Sequence, residues 1–275
     1  MPSSGANLLS VRNLTVTYQG PDGAVRAVDH VSFEVHPGEV VALVGESGSG
    51  KSSVALALTR LLPSPPAVVS GTVQFHNTEL LAASEAALRQ VRGGGIAYVF
   101  QDPGTSLNPV LTIGEQLQEM IELHTPQRGA AARETAVVWL ERVGIPAPAS
   151  RLRAYPHEFS SGMQQRVMIA MALSAKPALL VADEPTTALD VTVQVQILRL
   201  LRELQQRLGI AVLLITHDLL IVQRLAHRVL IFADGRMVEA GRVQEVFAHP
   251  QHDVTRMLLA ARPPVDLRSR GPGHA

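Results

Sequence analysis

Cysteine is absent from the 275-residue sequence, and so are several other features that would indicate particular classes of protein. Without thiols the chain cannot form disulfides, use a cysteine nucleophile, or hold zinc or an iron–sulfur cluster through cysteine. No apolar run approaches the roughly 20 residues that span a bilayer. The beginning, Met1-Pro2-Ser3-Ser4-Gly5, lacks a basic start and an apolar core. We therefore expect neither a secretory signal nor a membrane span, so any membrane role comes through a partner.

The sequence also lacks a surplus of charge, because 24 Lys and Arg residues balance 24 Asp and Glu residues. A basic excess would indicate nucleic acid, and an acidic excess would indicate a cationic substrate. We therefore expect no nucleic acid partner. Hydrophobic residues make up 46% of the chain, which is enough for a full core. The length fits one large α/β domain or a core with an inserted lobe.

The most informative motif is a glycine-rich loop that follows the short apolar run 40–44. It fits the pattern G-x-x-x-x-G-K-[ST], whose backbone N–H groups surround phosphates, and the segment 53–62 predicts the helix that must follow. Lys51 is expected to reach the β- and γ-phosphates of a nucleoside triphosphate, and Ser52 to ligate Mg²⁺. The predicted nucleotide-binding residues here are Gly45, Glu46, Ser47, Gly48, Ser49, Gly50, Lys51, Ser52 and Ser53.

A second apolar run, 178–182, ends in the carboxylates Asp183 and Glu184. One strand therefore delivers both acidic groups to the same edge of a sheet. Nucleotide hydrolysis is mostly positioning and charge stabilisation around an in-line attack. We predict that Asp183 holds Mg²⁺ and that Glu184 is the general base. The simpler alternative is an acidic pair that faces solvent, and the preceding phosphate loop disfavours it.

His217 follows a third apolar run, 210–215, in the same manner. A histidine after a strand is commonly a hydrogen-bonded structural residue. Beside the other motifs, however, His217 is predicted to contact the γ-phosphate. The carboxyl edge of an open α/β sheet is where ligands gather.

The apolar patterns predict two kinds of strand. Alternating apolar and polar residues predict paired strands with one solvated face, at 8–18, 25–35 and 71–77. The continuous apolar runs predict parallel strands covered on both faces. Asp234-Gly235 predicts a hairpin turn.

Helical patterns dominate 103–176, which we interpret as an inserted helical lobe. Asp190 and Asp218 each stand at the position of a helix N-cap. The helices predicted from these patterns lie at 114–124, 130–143, 162–175, 191–208 and 219–228.

Taken in order along the chain, the motifs resemble those of the ATP-binding subunits of ABC transporters, over about residues 8–262. The series comprises Tyr18, the phosphate loop, Phe100-Gln101-Asp102-Pro103, Phe159-Ser160-Ser161-Gly162-Met163, Asp183-Glu184, Ala188-Leu189-Asp190 and His217. The resemblance implies an α/β fold: a P-loop NTPase (ABC ATPase) core with a mostly parallel sheet, an antiparallel β subdomain and an inserted α-helical subdomain. We expect a flexible tail at 263–275.

The resemblance also implies how ATP and Mg²⁺ are bound. Two such subunits enclose two ATP molecules, each between the phosphate loop of one chain and the signature of the other. Ser160, Ser161 and Gly162 would then serve the partner's ATP. The resemblance further implies that Tyr18 stacks on adenine and that Asp190 binds nucleotide. It implies four roles for Gln101, which are γ-phosphate sensing, catalysis, metal binding and contact with the permease.

Four segments resemble more closely the ATP-binding subunits of oligopeptide, dipeptide and nickel importers. They are 101–109, 155–158, 166–173 and 249–259, although Asp253-Val254 replaces the usual Pro-Tyr. The resemblance implies two membrane permeases, a second ATP-binding subunit and, indirectly, an extracytoplasmic solute-binding protein. It places the chain at the cytoplasmic face of the bacterial inner membrane, and implies import as the direction of transport.

The signature departs from the family pattern Leu-Ser-Gly-Gly-Gln. Phe159 replaces Leu, and Ser161 replaces the first Gly. Glycine serves where a backbone approaches a ligand closely or adopts a positive φ, so we expect Ser161 to weaken the site that it completes. This predicts a heterodimer with one slower ATP site, although a homodimer stays open.

Two alternatives to the importer remain at this stage. A soluble ABC ATPase could act on ribosomes or DNA, but such proteins usually carry two cassettes or a long insertion. A regulatory subunit could bind ATP with weak hydrolysis, against which Glu184 and His217 argue. His249 and His252 lack a third ligand that would make them a metal site.

Overall fold

The structure is a computed structural model that describes residues 7–21, 23–187 and 189–261. The strands are β1 (Leu9–Gly20), β2 (Gly23–Val35), β3 (Val40–Gly45), β4 (Ala67–Phe75), β5 (Thr78–Glu79), β6 (Ile96–Val99), β7 (Leu179–Asp183), β8 (Ala211–Thr216), β9 (Arg228–Ala233) and β10 (Arg236–Arg242). The α-helices are α1 (Lys51–Ala57), α2 (Glu85–Val91), α3 (Pro103–Ser106), α4 (Ile113–His124), α5 (Gly129–Arg142), α6 (Pro148–Arg151), α7 (Ser161–Ser174), α8 (Val191–Leu208), α9 (Leu219–Leu225), α10 (Val243–Ala248) and α11 (Asp253–Ala260). The tail predicted at 263–275 and Ala188 of the motif series lie outside the described residues.

A six-stranded sheet in the order β10-β9-β3-β8-β7-β6 carries the predicted nucleotide motifs. The strands β6, β7, β8, β3 and β9 run parallel, and β10 pairs antiparallel with β9 through the predicted hairpin. Every residue of β3 is buried. Neighbouring β3 residues enter apolar clusters on opposite faces of the sheet, with Val41 and Leu43 in one and Ala42 and Val44 in another. The prediction of parallel strands covered on both faces is confirmed.

A four-stranded antiparallel sheet in the order β2-β1-β4-β5 stands beside this core. Its inward residues, such as Leu14, Val16 and Val28, share one apolar cluster with the β3 residues Val41 and Leu43. The outward residues alternate with them along β1 and β2, as the sequence pattern predicts.

The segment between β6 and β7 is built from helices, in agreement with the predicted helical lobe. Trp139 of α5, Ile121 of α4 and Val167 of α7 are buried against one another in a cluster that also contains Val99 of β6 and Leu180 of β7. The helical lobe therefore shares its core with the central sheet. Burial of the same apolar residues orients the lobe and stabilises the edge of the sheet.

Two predicted helices end earlier than their apolar patterns suggest. Helix α1 ends at Ala57 because Arg60 adopts a left-handed φ of 54° and Leu61 donates its backbone N–H to the carbonyl of Leu56. Helix α9 ends at Leu225 because Arg228 already pairs with β3 as the first residue of β9. A local turn therefore ends the first helix, and strand pairing ends the second.

Strand β6 and helix α2 are not among the predicted elements. β6 has only four residues, preceded by Gly93-Gly94-Gly95, and its place is set by pairing with β7. Helix α2 begins where the Ser84 hydroxyl accepts the backbone N–H of Ala87. In the described ranges, no helix is long and apolar enough to cross a membrane.

A single carboxylate of β10 holds the beginning of helix α11 by hydrogen bonds. Glu239 accepts the backbone N–H groups of Gln251 and His252 at 2.9 and 3.0 Å, and the hydroxyl of the buried Thr255. Burial alone would raise the pKa of Glu239, but these hydrogen bonds outweigh it and hold the pKa below the usual glutamate value. The ionised form of Glu239 therefore positions α11.

We expect Glu239→Gln to release α11 from β10, because an amide replaces the carboxylate with one acceptor and an unwanted donor. The loss should be about 1–3 kcal/mol of local stability. In the parent chain the contribution is full at neutral pH and is lost as the pH falls through the lowered pKa. Hydrogen exchange of the α11 amides measures this. Glu245→Gln, at an exposed position of α10, is the control, and equal α11 protection in both variants would contradict the assignment.

Candidate functional site

The phosphate loop is held by backbone groups of two other strands. A Cβ at Gly45 would lie 2.3 Å from the carbonyl oxygen of Phe232 in β9. Gly50 has a φ of 102°, and a Cβ there would lie 2.1 Å from the carbonyl oxygen of Ala27 in β2. Both positions require glycine because carbonyl groups occupy the space of a side chain. The loop is therefore shaped by its neighbours before any phosphate arrives.

Lys51 stands at the first position of α1, with its ammonium group inside the loop. Nζ donates to the carbonyls of Gly45 and Glu46 at 3.0 and 2.7 Å, and to the hydroxyl of Ser49 at 3.3 Å. The residue is only 4% exposed. Burial lowers the pKa of Lys51, while the nearby carboxylates Asp183 and Glu184 oppose that shift. The loop thus encloses a positive charge that faces two acidic groups.

Asp183 ends β7 beside the phosphate loop. Burial raises the pKa of Asp183, and a hydrogen bond from the Ser52 side chain opposes that shift. The Oδ1 atom of Asp183 is buried and has no hydrogen-bond partner. An unsatisfied carboxylate oxygen next to a hydroxyl is a ligand set that suits a hard cation such as Mg²⁺. The residues present therefore fit the predicted metal ion.

Glu184 occupies a strained backbone position with a φ of 44°. Its backbone N–H bonds to the carbonyl of Ile215 at 2.9 Å, which ties it to β8. The Oε2 atom accepts the hydroxyl of Thr187 at 2.8 Å, and Oε1 lies 3.2 Å from Nδ1 of His217. The structure therefore brings the predicted general base and the predicted γ-phosphate contact together. Thr187, which sequence reasoning did not select, helps to orient the carboxylate.

Tyr18 lies close to the phosphate loop, because its hydroxyl is 3.0 Å from the hydroxyl of Ser53 in α1. Val25 is the direct partner of Tyr18 in the antiparallel register of β1 and β2, and it is 67% exposed. Directly opposed residues share a face of the sheet. Val25 therefore extends an apolar surface beside Tyr18. Sequence reasoning missed it because the register becomes visible only in the folded hairpin.

The signature residues gather at the adjoining N-termini of α7 and α8. Ser160 caps α7 by accepting the backbone N–H of Met163, and Asp190 caps α8 by accepting that of Val193. A Cβ at Gly162 would lie 2.6 Å from Cγ1 of Val193, so this glycine permits the close approach of the two helices.

The backbone at Ser161 has no feature that would require the glycine of the family pattern. It is the exposed first residue of α7, and its φ is not in the left-handed region. A side chain here causes no backbone strain within this chain. Any effect of Ser161 on a composite site must therefore come from its side chain at the surface.

Gln101 lies two residues beyond the end of β6, at the same sheet edge as Asp183, because β6 and β7 are parallel. Its side chain is exposed, and no hydrogen bond joins it to the described site residues. The following Asp102 caps α3 through the backbone N–H of Gly104 at 2.9 Å. The structure thus places Gln101 at the entrance to the helical lobe rather than in contact with the carboxylates.

No group of three or more His, Cys, Asp or Glu side chains within the described ranges is arranged to hold a metal ion. His252 instead caps α11, with its Nδ1 atom accepting the backbone N–H of Val254 at 3.2 Å.

Several curated proteins resemble this chain over nearly its whole length. The peptidoglycan transport ATP-binding protein YejF of Agrobacterium fabrum is 55% identical over 257 residues, which cover 93% of this chain and 47% of that protein. The dipeptide transport ATP-binding protein DppD of Bacillus subtilis is 47% identical over 94% of this chain and 78% of its own length. The chain spans about half the length of the YejF proteins that it matches.

Solved structures of ATP-binding cassettes share the fold. The dimeric structure of MJ0796 in a post-hydrolysis state, bound to ADP and Pi, has a TM-score of 0.75 and 28% identity, and covers 86% of this chain and 98% of that one. The cbiO1 protein of Clostridium perfringens, part of the transporter complex cbiONQ, has a TM-score of 0.74 and 30% identity, and covers 89% of this chain and 92% of that one. The predicted α/β P-loop fold is confirmed.

The sequence model of ABC transporters matches residues 28–187, a range that contains the phosphate loop, the signature and both carboxylates. It covers more than half of the chain, and the relatives extend the similarity on both sides. Together with the geometry of the phosphate loop and of Glu184, this match shows that the chain belongs to the ABC transporter family.

Proposed function

We propose that this chain binds and hydrolyses ATP to power the import of peptides, or of a related small solute, through a partner membrane permease. One observation carries the proposal: Lys51, Ser52, Asp183, Glu184 and His217 meet at the carboxyl edge of one sheet, joined by the contacts described above. A buried cation and two carboxylates, one placed to hold a metal ion and the other, Glu184, to act as general base, suit the positioning and charge stabilisation on which phosphoryl transfer depends.

Each residue has a distinct task in the proposed hydrolysis. Lys51 provides positive charge for the β- and γ-phosphates. Ser52 and Asp183 would hold Mg²⁺, which neutralises phosphate charge when it is bound. Glu184 accepts a proton from the attacking water, and Thr187 keeps its carboxylate oriented. His217, 57% exposed at its side chain, is free to turn from Glu184 toward the γ-phosphate.

The adenine is proposed to stack on Tyr18 beside the exposed Val25. Two cassettes are proposed to enclose ATP, so that Ser160, Ser161, Gly162 and Asp190 complete the partner's site. The exposure of these helix N-termini and the dimeric form of MJ0796 support this arrangement. Gln101 is proposed to sense the γ-phosphate and, with the helical lobe, to contact the permease.

The class of cargo rests on the relatives. Their names refer to peptidoglycan, dipeptide and oligopeptide transport. Nickel import rests only on the resemblance of the sequence motifs. We further propose two permeases, a second ATP-binding subunit and an extracytoplasmic solute-binding protein as partners, with the chain held peripherally at the cytoplasmic face of the bacterial inner membrane.

Glu184→Gln is expected to lower the ATPase rate by about 10²–10⁴-fold, because the amide cannot accept the proton of the attacking water. ATP affinity should change little, because Lys51 and the phosphate loop are untouched. Phosphate release and nucleotide binding measure the two effects separately. Glu119→Gln, at an exposed position of α4, is the matched control. Unchanged turnover in Glu184→Gln would instead support a regulatory subunit.

Ser161→Gly tests whether the signature departure slows one ATP site. We expect the variant to raise the ATPase rate of the assembled complex at most about twofold, since one of the two sites is already fast. Ser161→Ala keeps the Cβ and serves as the control for the lost hydroxyl. Equal rates in the parent and Ser161→Gly would contradict the idea of unequal sites.

Copurification tests the transport assignment. We expect a tagged chain, isolated from gently solubilised membranes of its native host, to bring down two multi-span permeases and a second ATPase. Mass spectrometry identifies them and points to the cargo. Recovery of ribosomes or DNA-repair proteins would overturn the transport assignment and leave the ATPase assignment intact.

A further inference from the structure

Helix α11 lies beside the phosphate loop although it is far from the loop in sequence. Val254 and Met257 of α11 line a cavity of about 290 Å³ together with phosphate-loop residues and the end of β9; the other lining residues are Glu46, Ser47, Gly48, Ser49, Phe232, Ala233 and Asp234. The catalytic tasks described above use neither Val254 nor Met257. The residues that α11 presents at the rim of the nucleotide site therefore have no role in the proposed hydrolysis.

One side of α11 is already used within this chain. Val254, Leu258 and Leu259 pack on the apolar cluster that also holds Val44 of β3. Glu239 fixes the beginning of the helix through Thr255 and the backbone before it. The helix is thus firmly positioned, so the side chains on its other side have defined places.

Met257 is the large apolar residue that this packing leaves out. It is 66% exposed and belongs to no apolar cluster of the described chain. Methionine is flexible and polarizable, so it adapts its shape to a partner surface and is common at adaptable binding surfaces. Charged residues lie near it: Asp253 and Arg256 of the same helix form an ion pair at 2.6 Å, and Glu46 and Asp234 line the same cavity. An apolar centre with a charged rim has the composition of a protein–protein contact.

We infer that α11, through Met257 and the cavity beside the phosphate loop, is a docking surface for the second ATP-binding cassette. The inference rests on the proposed function, in which another cassette closes over this loop. Met257 is continuous with the rim of the loop, so a chain that covers Ser47 and Gly48 also comes within reach of α11. The helical lobe, which is proposed to contact the permease, packs with β6 and β7 at the other end of the sheet from β9 and β10, against which α11 packs.

Sedimentation of the Glu184→Gln chain in MgATP tests the inference, with the second ATP-binding subunit that copurifies as the partner, or with a second copy of the chain if none copurifies. We expect added Met257→Glu to weaken ATP-dependent dimerisation about tenfold. Met257→Gln keeps the length of the side chain and adds no charge. It should also weaken dimerisation, but less than Met257→Glu does. Binding of ATP to the monomer should be the same in all variants.

Leu123→Gln is the matched control, because Leu123 is also 66% exposed but lies on α4 of the helical lobe. Dimerisation of the Met257 variants equal to that of the parent would overturn the inference and leave the proposed function intact. Loss of ATP binding by the Met257→Glu monomer would also overturn it, because Met257 would then serve the nucleotide. Failure of the Glu184→Gln parent to pair with that partner in MgATP would refute the closed pair of cassettes on which the inference rests.

Discussion

The contact of the phosphate loop with the backbones of two neighbouring strands is the constraint on which the rest of the structure depends. The carbonyl oxygens of Phe232 and Ala27 fill the space that side chains at Gly45 and Gly50 would need. The loop is thereby fastened between β9 of the parallel sheet and β2 of the antiparallel sheet. Any change in how the two sheets meet would therefore move the phosphate site, because the loop belongs to both.

Charge balance is the second constraint, and it links the loop to β7. A buried lysine or a buried aspartate is costly when alone, because each loses its hydration. Here the carboxylates Asp183 and Glu184 favour the charged form of Lys51, and Lys51 favours the charged form of Asp183 against the repulsion of Glu184, while Oδ1 of Asp183 still lacks a partner. The site is thus arranged for phosphate on one side and a cation on the other.

The elements of the fold that the sequence predicts are those whose pattern lies within a short stretch of residues. The apolar runs that became β3, β7 and β8, and the N-caps at Asp190 and Asp218, are all visible in short stretches of sequence. Strand β6 was missed because four residues carry too little pattern. The predicted end of α9 lies too late because the pairing of Arg228 with β3, which begins β9, has no signal in the neighbouring sequence.

The loop, the acidic strand end and the order of motifs, and thereby the family, can be read from contiguous residues. Folding alone sets which residues meet. It placed Val25 beside Tyr18, Val193 against Gly162, Thr187 and His217 on Glu184, and α11 beside the phosphate loop. Most of these contacts join residues far apart in the chain, and even the near ones depend on a strand register or a strained backbone. Such features arise from the packing of whole elements and leave no local pattern from which they could be read.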